Sequence, residues 1–505
     1  MKKQVQNHIR WSRYGDRNEI SLQEAQMRTF NNFIWRFAQT EGNYNFSSGS
    51  RGKGNLSSEA NPYFLFPQIY NFRYNIFSSE WPVANRVIEL YLQKKSENGG
   101  WERQINGISN NEKAVLLLEK RTFKELLVDM ELRNLQNNIV GQEASRLFAR
   151  AEINMGVEAF RDSLYSLLKR NTFLNIKFEN MLDTLGEISR TDIRSLLGEW
   201  EKTTPLPFYS LGEPTLTKIT NKGGEEFFVL KMLISNNSDY DGIIHMDIRK
   251  DGWWYQPLED PRAKTKIEMP AHTSKEFVSV WEDQIRNVEI NTMVSGNLPN
   301  IISQDINNVK QERNKIVKDS IYILPESSFD LPGEIIVDNE DSTLFILSAP
   351  PIVGLLPKWL DEVEETPFKY SGISWWRPPL QWTATTNDRY YGKYIRSAFV
   401  IKSGDGSQTA TWKVPVPEVG QYDLYYHVFK DDELRWNNNL QGEYHFKVKY
   451  GSEVEDAYVN LRKANEGWEQ LGSYYFDSDT IRVGLTDECK LRSVTADAVK
   501  IVKRY

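Results

Sequence analysis

Apolar residues recur at spacings of three and four through the first two-fifths of the chain. In residues 21–40, Leu22, Ala25, Met27, Phe30, Phe33, Ile34 and Phe37 share one such stripe, which predicts an amphipathic helix. Residues 41–60 are rich in Gly, Ser and Asn and read as a loop. Seven Phe or Tyr residues then fall between Tyr63 and Phe77 and call for burial. Pro82 suits a first helical turn, so a helix is expected directly after it. Ser109 followed three positions later by Glu112 is a capping-box pattern, and the apolar periodicity beyond it predicts one long helix over 112–135. Further helices are expected over 142–151, 156–170 and 177–185. Ser189 with Asp192 repeats the capping pattern more weakly before residues 193–202.

The period changes at Pro205. Short runs such as GIIHMDIRK, KEFVSVW and NVEINTM, separated by Gly, Pro, Asn and Asp, predict about seven strands between 212 and 325. That number of strands suggests an immunoglobulin-like sandwich. Beyond LPESSFDLPG the strand pattern resumes with TATWKVPV, YDLYYHVF, YHFKVKY, DAYVNL and AVKIVK, dense in Trp and Tyr, and suggests a sandwich of jelly-roll type. The fold class is therefore multidomain, helical plus all-β. A basic tail spans 1–20, a helical domain 21–204, an immunoglobulin-like β-sandwich 205–328 and a jelly-roll-type β-sandwich 329–505.

Composition narrows function by exclusion. A length of 505 residues exceeds one core and fits about three domains. Acidic residues outnumber basic ones 69 to 62, a balance that argues against nucleic acid as a partner. Cys489 is the only cysteine, so neither an intrachain disulfide nor a thiolate metal site can form, and its surroundings predict an exposed turn. No apolar run reaches the length of a membrane helix and no apolar signal region follows Lys2 and Lys3. Export, where related chains require it, would have to come from sequence outside this one.

Catalytic patterns are missing from the sequence. Of five histidines, none lies between residues 9 and 244, so the helical region cannot place two imidazoles one turn apart for hydrolytic zinc. His427 and His445 fall on expected strands, where they read as half-buried positions rather than a cross-sheet metal pair. No nucleophile elbow, phosphate loop or dinucleotide fingerprint occurs. The acidic clusters at 338–341 and 431–433 read as turns, with calcium as the competing reading. No catalytic residue, metal ligand or cofactor is assigned.

Two resemblances add to this. Residues 155–209, with Gly156, Phe160, Trp200, Pro207 and Tyr209, resemble the helical part that follows the active site in aminopeptidase-N-like zinc metallopeptidases. The family's zinc helix is absent, so the resemblance implies zinc and peptidase activity only if missing sequence or another chain supplies the catalytic half. The second resemblance runs from Ile336 to Val499. It rests on Ile336–Asn339, Trp382, Tyr390–Gly392, Ala410–Trp412, Gly420–Tyr422, Gly467, Trp468, Leu471, Gly472 and Ala496–Val499, and is to the golvesin C-terminal-like domain, also described as a xanthan-lyase carbohydrate-binding-like module.

The resemblances imply a non-catalytic scaffold or binding protein acting outside the cytoplasm, in the periplasm or at the cell surface. Its expected partners are a polysaccharide or peptide ligand and a membrane-complex or catalytic partner chain. Sugar recognition needs flat aromatic faces beside amides. Trp436 with Asn437, Asn438 and Asn439, and Trp375 with Trp376 and Arg377, are the candidate ligand-binding residues, whereas Trp382, Trp412 and Trp468 read as core.

Overall fold

The computed structural model describes residue 5, residues 21–30 and 74–92, and then residues 100–504 apart from 172–173, 221–222, 251–255, 259, 307, 314–316, 326–328, 330–332, 349–367, 374–376 and 431–441. A helical region is followed by several β-sheets, antiparallel but for single pairs, packed as sandwiches. The chain forms two compact units: residues 1–96 with 127–198, and residues 97–126 with 199–505.

In the first unit, residues 22–30 are helical, but the buried stripe is not the expected one. Ala25 and Thr29, one turn apart, are buried, while Leu22, Met27 and Phe30 are exposed. A short parallel pair, β1 (Tyr74–Phe77) with β2 (Leu174–Lys177), accompanies α1 (Ala84–Leu92). Tyr91 at the end of α1 meets Phe148 and Phe160 at centroid distances of 4.7 and 6.0 Å and donates its hydroxyl to Glu152 at 2.8 Å. Later helices of this unit run over Gln136–Met155, Val157–Arg170 and Phe178–Ser189. Gly156, with φ of 85°, supplies the left-handed backbone that separates the first two.

The second unit opens with α2 (Gly100–Asn106), α3 (Asn110–Lys120) and α4 (Phe123–Leu127). Ser109 and Glu112 form the expected capping box. The long helix expected to continue from it is broken at Arg121, which is extended. Thr122 and Glu125 then cap the next helix reciprocally, through Glu125 N–H to Thr122 Oγ1 at 3.2 Å and Thr122 N–H to Glu125 Oε2 at 2.9 Å. Residues Arg194–Glu201 form a 3-10 helix rather than an α-helix, with Asp192 rather than Ser189 as the acceptor at its start.

Strands β3 (Tyr209–Leu211), β4 (Thr215–Thr220), β5 (Glu226–Asn236), β6 (Gly242–Lys250), β7 (Gln256–Pro257) and β8 (Lys264–Met269) begin the first sandwich. It is completed by β9 (Thr273–Trp281), β10 (Ile285–Asn291), β11 (Ile301–Asp305), β12 (Val309–Arg313) and β13 (Ser320–Pro325). One sheet runs β12-β4-β5-β9-β13 with β3 on β5, and the other β11-β10-β6-β7 with β8 on β6. Between them lie Leu230, Met232, Ile234, Ile244, Met246, Ile248, Val288 and Ile290. Alternation of buried and half-buried positions along β6 is the period of two that this packing requires.

The second sandwich begins with β14 (Glu334–Asp338), β15 (Phe345–Ser348), β16 (Thr383–Thr386), β17 (Ser397–Lys402), β18 (Thr409–Pro415) and β19 (Gly420–Val428). Six more follow: β20 (Glu443–Tyr450), β21 (Glu453–Asn460), β22 (Gly467–Phe476), β23 (Thr480–Thr486), β24 (Ser493–Ala496) and β25 (Ala498–Lys503). A four-stranded sheet, β14-β25-β19-β22, and a five-stranded one, β15-β18-β23-β20-β21, enclose Trp412, Leu424, Tyr426, Phe446, Val448, Phe476, Val483 and Ile501. A third sheet, β16-β17-β24, adds Ile401, Val494 and Ala496 to the same core.

Both sandwiches meet near Leu298. Its N–H donates to the carbonyl of Tyr394 at 3.1 Å, and its carbonyl accepts from Arg396 N–H at 2.6 Å. Leu298 also packs with Ile108, Tyr370 and Ala384 in one buried cluster. Gly107 and Gly372 allow the helical segment this close: a Cβ on Gly372 would lie 1.9 Å from the carbonyl oxygen of Ile105.

Candidate functional site

The outer face of the four-stranded sheet is built by strand alternation. Along β19, Leu424, Tyr426 and Val428 point into the core, so Tyr425 and His427 point outward. A bulge shifts the register between Leu424 and Tyr425, setting Tyr425 opposite Gln470 and His427 opposite Trp468 on β22. Lys500 on β25 lies opposite Tyr425.

These side chains form one cluster. Trp468 meets His427 edge-on at 5.2 Å and Tyr391 at 5.0 Å, and Tyr391 meets His427 at 5.7 Å. The Lys500 ammonium lies 4.9 Å from the Trp468 ring centroid and 5.4 Å from that of Tyr425, and pairs with Glu334 at 2.9 Å. Alongside, Asp423 accepts from Gln470 at 3.0 Å, Ser473 at 2.5 Å and Arg504 at 2.8 Å.

Asp497 anchors the cluster from beneath. It sits between β24 and β25, is fully buried, and accepts from the backbone N–H of Tyr391 at 3.1 Å and from His427 Nδ1 at 2.8 Å. Burial pushes its carboxyl above the ordinary carboxylate range, and the facing His427 and Arg396 charges pull it back. Burial likewise pushes Asp338 up, and repulsion from Asp497 adds to this. His427 Nδ1 is committed to Asp497, which leaves Nε2 as the ring nitrogen turned away from it. The arrangement offers aromatic rings, a fixed imidazole, an amide, a hydroxyl and a carboxylate on one sheet face.

Trp436, Asn437 and Asn438 lie outside the described residues, as do Trp375, Trp376, Asn439 and the acidic run at 431–433. Arg377 is exposed. Trp412 and Trp382 are core residues as expected, but Trp468 is not: it is half-buried on the outer face, because its neighbour across the ladder is the outward-pointing His427. His427 and His445 do not meet, since they belong to different sheets; His445 contacts Asp456 at 2.8 Å, Glu488 at 3.3 Å and the ring of Tyr458. Cys489 is half-buried against the sandwich core rather than exposed, and burial pushes its thiol up. The cluster at 338–341 is a turn: Asp341 accepts from Asp338 N–H at 2.9 Å, and Glu340 binds Lys369 at 2.6 Å and the Tyr370 hydroxyl at 3.1 Å. Among the described residues no three His, Cys, Asp or Glu side chains are grouped to hold a metal ion.

Sequence reading missed Tyr391, His427 and Asp497 as a set. One signal was available: Asp497 interrupts the run SVTADAVKIV between two strands, where a charge is buried only if it is paired.

Residues 378–503 match the family model of the Golvesin C-terminal domain. No curated protein matches the chain. Among solved structures, TmCBM61 in complex with β-1,4-galactotriose aligns at 13% identity and a TM-score of 0.14, over 34% of this chain and 86% of that one. A Bacteroides uniformis β-glucuronidase aligns at 10% identity and a TM-score of 0.17, over 59% of this chain and 30% of its own. The Sulfolobus turreted icosahedral virus structure aligns at 10% identity and a TM-score of 0.13, over 60% of this chain and 97% of that one. TM-scores this low establish no shared fold. None of these matches supports the aminopeptidase resemblance of residues 155–209. No described helix is long and apolar enough to cross a membrane.

Proposed function

We propose that this chain is a non-catalytic binding and scaffold protein acting outside the cytoplasm, and that its golvesin-like sandwich takes a carbohydrate ligand on the Trp468 face. The observation that supports this reading is the pairing of half-buried Trp468 and Tyr425 with Gln470, Ser473 and Asp423 on one sheet face. Aromatic planes and fixed polar groups are what a pyranose, with one apolar side and a ring of hydroxyls, requires. The contact of His427 with buried Asp497 holds the imidazole in place, so its outer nitrogen is positioned before a ligand arrives. Trp436, Asn437 and Asn438 follow just past the end of β19, and we assign them to the same ligand, with Trp375 and Trp376 as further contacts. On this reading the immunoglobulin-like sandwich is the spacer and the jelly-roll-type sandwich the recognition module.

The test is a glycan array followed by titration calorimetry on the full chain. Trp468→Ala is expected to weaken the best glycan at least about tenfold, the loss of roughly one good stacking contact. Trp436→Ala is expected to weaken it less. Absence of any glycan ligand, or a Trp468→Ala variant that binds as tightly as the native chain, defeats the proposal.

A further inference from the structure

The opposite sheet of the second sandwich displays charges that its fold does not need. Lys413 on β18 stands directly opposite Arg482 on β23, and Arg482 directly opposite Lys449 on β20. Lys447, two positions along β20, projects from the same face. Trp412, Val414, Val483, Phe446 and Val448 alternate with them and fill the core, so all four cations point outward. Arg482, Lys447 and Lys449 are exposed and Lys413 is half-buried.

Neighbouring strands are about 4.8 Å apart, so three cations stand in one row across the sheet. Like charges directly opposite on a ladder repel. Among the described residues none of the four makes an ion pair. The nearest acids of this face are engaged by another ring: Asp456 stands opposite Lys447 but takes His445 Nε2 at 2.8 Å, and Glu488 takes Nδ1 of the same ring at 3.3 Å. Glu443 lies further along β20, past His445. The row Lys413–Arg482–Lys449 thus has no acid directly opposite any of its members, while Asp456 faces Lys447 one pair along.

We propose that this row is a binding strip for an acidic polysaccharide, whose carboxylate or sulfate groups recur along a flat chain and would neutralise the three cations in turn. The same face favours a sugar polymer over other polyanions. Tyr458 is 56% exposed and lies parallel to the His445 ring at 4.8 Å, so its outer face is open to a pyranose, and Thr409 and Thr411 set hydroxyls beside the row. The chain as a whole is net negative, at −7, which disfavours extended nucleic acid beyond the strip. This site is separate from the Trp468 face, on the other sheet, so either can fail without the other.

Affinity electrophoresis of the full chain in gels containing polygalacturonate, its fully methyl-esterified form or dextran tests the proposal. Polygalacturonate is expected to retard the protein, the two neutral polymers are not, and the retardation is expected to fade as salt rises. The triple variant Lys413→Gln, Lys449→Gln, Arg482→Gln is expected to bind at least about tenfold more weakly. The control triple Lys310→Gln, Arg313→Gln, Lys318→Gln, on exposed positions of the first sandwich, is expected to bind as the native chain does. Equal loss in both triples, no retardation by polygalacturonate, or single-stranded DNA binding as tightly to the same row, each overturns it. Folding is followed independently: Arg482→Glu is expected to raise the melting temperature by relieving the row's repulsion, and a fall would show the cations already satisfied.

Discussion

The carboxylate of Glu112 accepts a hydrogen bond from the backbone N–H of Asn300 at 2.9 Å, across 188 residues of sequence. The same carboxylate takes Arg103 Nη2 at 3.0 Å and Ser109 N–H at 2.6 Å. A helix cap thereby also fixes a loop of the first sandwich. Glu112 is buried and so is Arg103. Glu112→Ala would leave a buried guanidinium and two N–H groups without an acceptor, and is expected to cost about 3–5 kcal/mol. Glu112→Gln keeps one acceptor oxygen and should cost less, about 1–2 kcal/mol. Urea unfolding of the two variants followed by tryptophan fluorescence checks the order.

Asp497→Asn is expected to destabilise the chain by about 1–3 kcal/mol, because His427 and the Tyr391 N–H both converge on this buried carboxylate. Asp497→Ala should cost more, since neither partner then has an acceptor. Thermal unfolding of both variants, with near-ultraviolet circular dichroism to follow the Tyr391, His427 and Trp468 cluster, reads the effect.

His245 supplies a pH dependence. It lies on β6 opposite Lys266, and burial, with the Lys266 and Lys264 charges, lowers its imidazole to about 4, while Asp247 works against them. The unfolded chain therefore binds a proton at this site in a range where the folded chain does not. Stability contributed by the neutral ring is complete above the unfolded value near 6.5 and is lost as pH falls toward 4. The ring is half-buried, so solvent screening trims the loss to about 1–3 kcal/mol. His245→Gln should narrow the stability difference between neutral and mildly acidic buffer relative to the native chain; an unchanged difference would falsify the assignment.

Two glycines are expected to differ sharply. Gly372→Ala would place a methyl 1.9 Å from the Ile105 carbonyl oxygen and force two backbones apart. Gly484→Ala meets nothing closer than 3.6 Å. A loss of at least about 2 kcal/mol for the first and less than about 0.5 kcal/mol for the second is expected from denaturant midpoints.

What could be read from sequence was what depends on near neighbours. Ser109 and Glu112 lie three residues apart, so their cap is written locally and was found. Thr122 and Glu125 carry the same signature but sit inside a convincing apolar period, which concealed the break at Arg121. Alternation in YDLYYHVF fixed the strand and its two faces. It did not say which aromatic neighbours the outer face would receive, because Trp468 reaches His427 only through a ladder and a bulge. Asp497 and His427 are 70 residues apart, and their 2.8 Å contact arises where the chain passes from β24 in one sheet to β25 in another, which no local pattern records. Trp375, Trp376, Trp436, Asn437 and Asn438 fall outside the described residues, so their part in the site stands as proposed above.

Leu298 gives its N–H and its carbonyl to residues 394 and 396, in the way one strand serves another, although it belongs to the first sandwich and they belong to the second. A fragment cut to residues 378–503, the span of the family match, would carry that stretch of backbone stripped of its partner. Residues 97–126 and 199–505 are therefore expected to melt in a single calorimetric transition, and a sandwich excised at the linker to start lower on the temperature scale than it sits in the full chain.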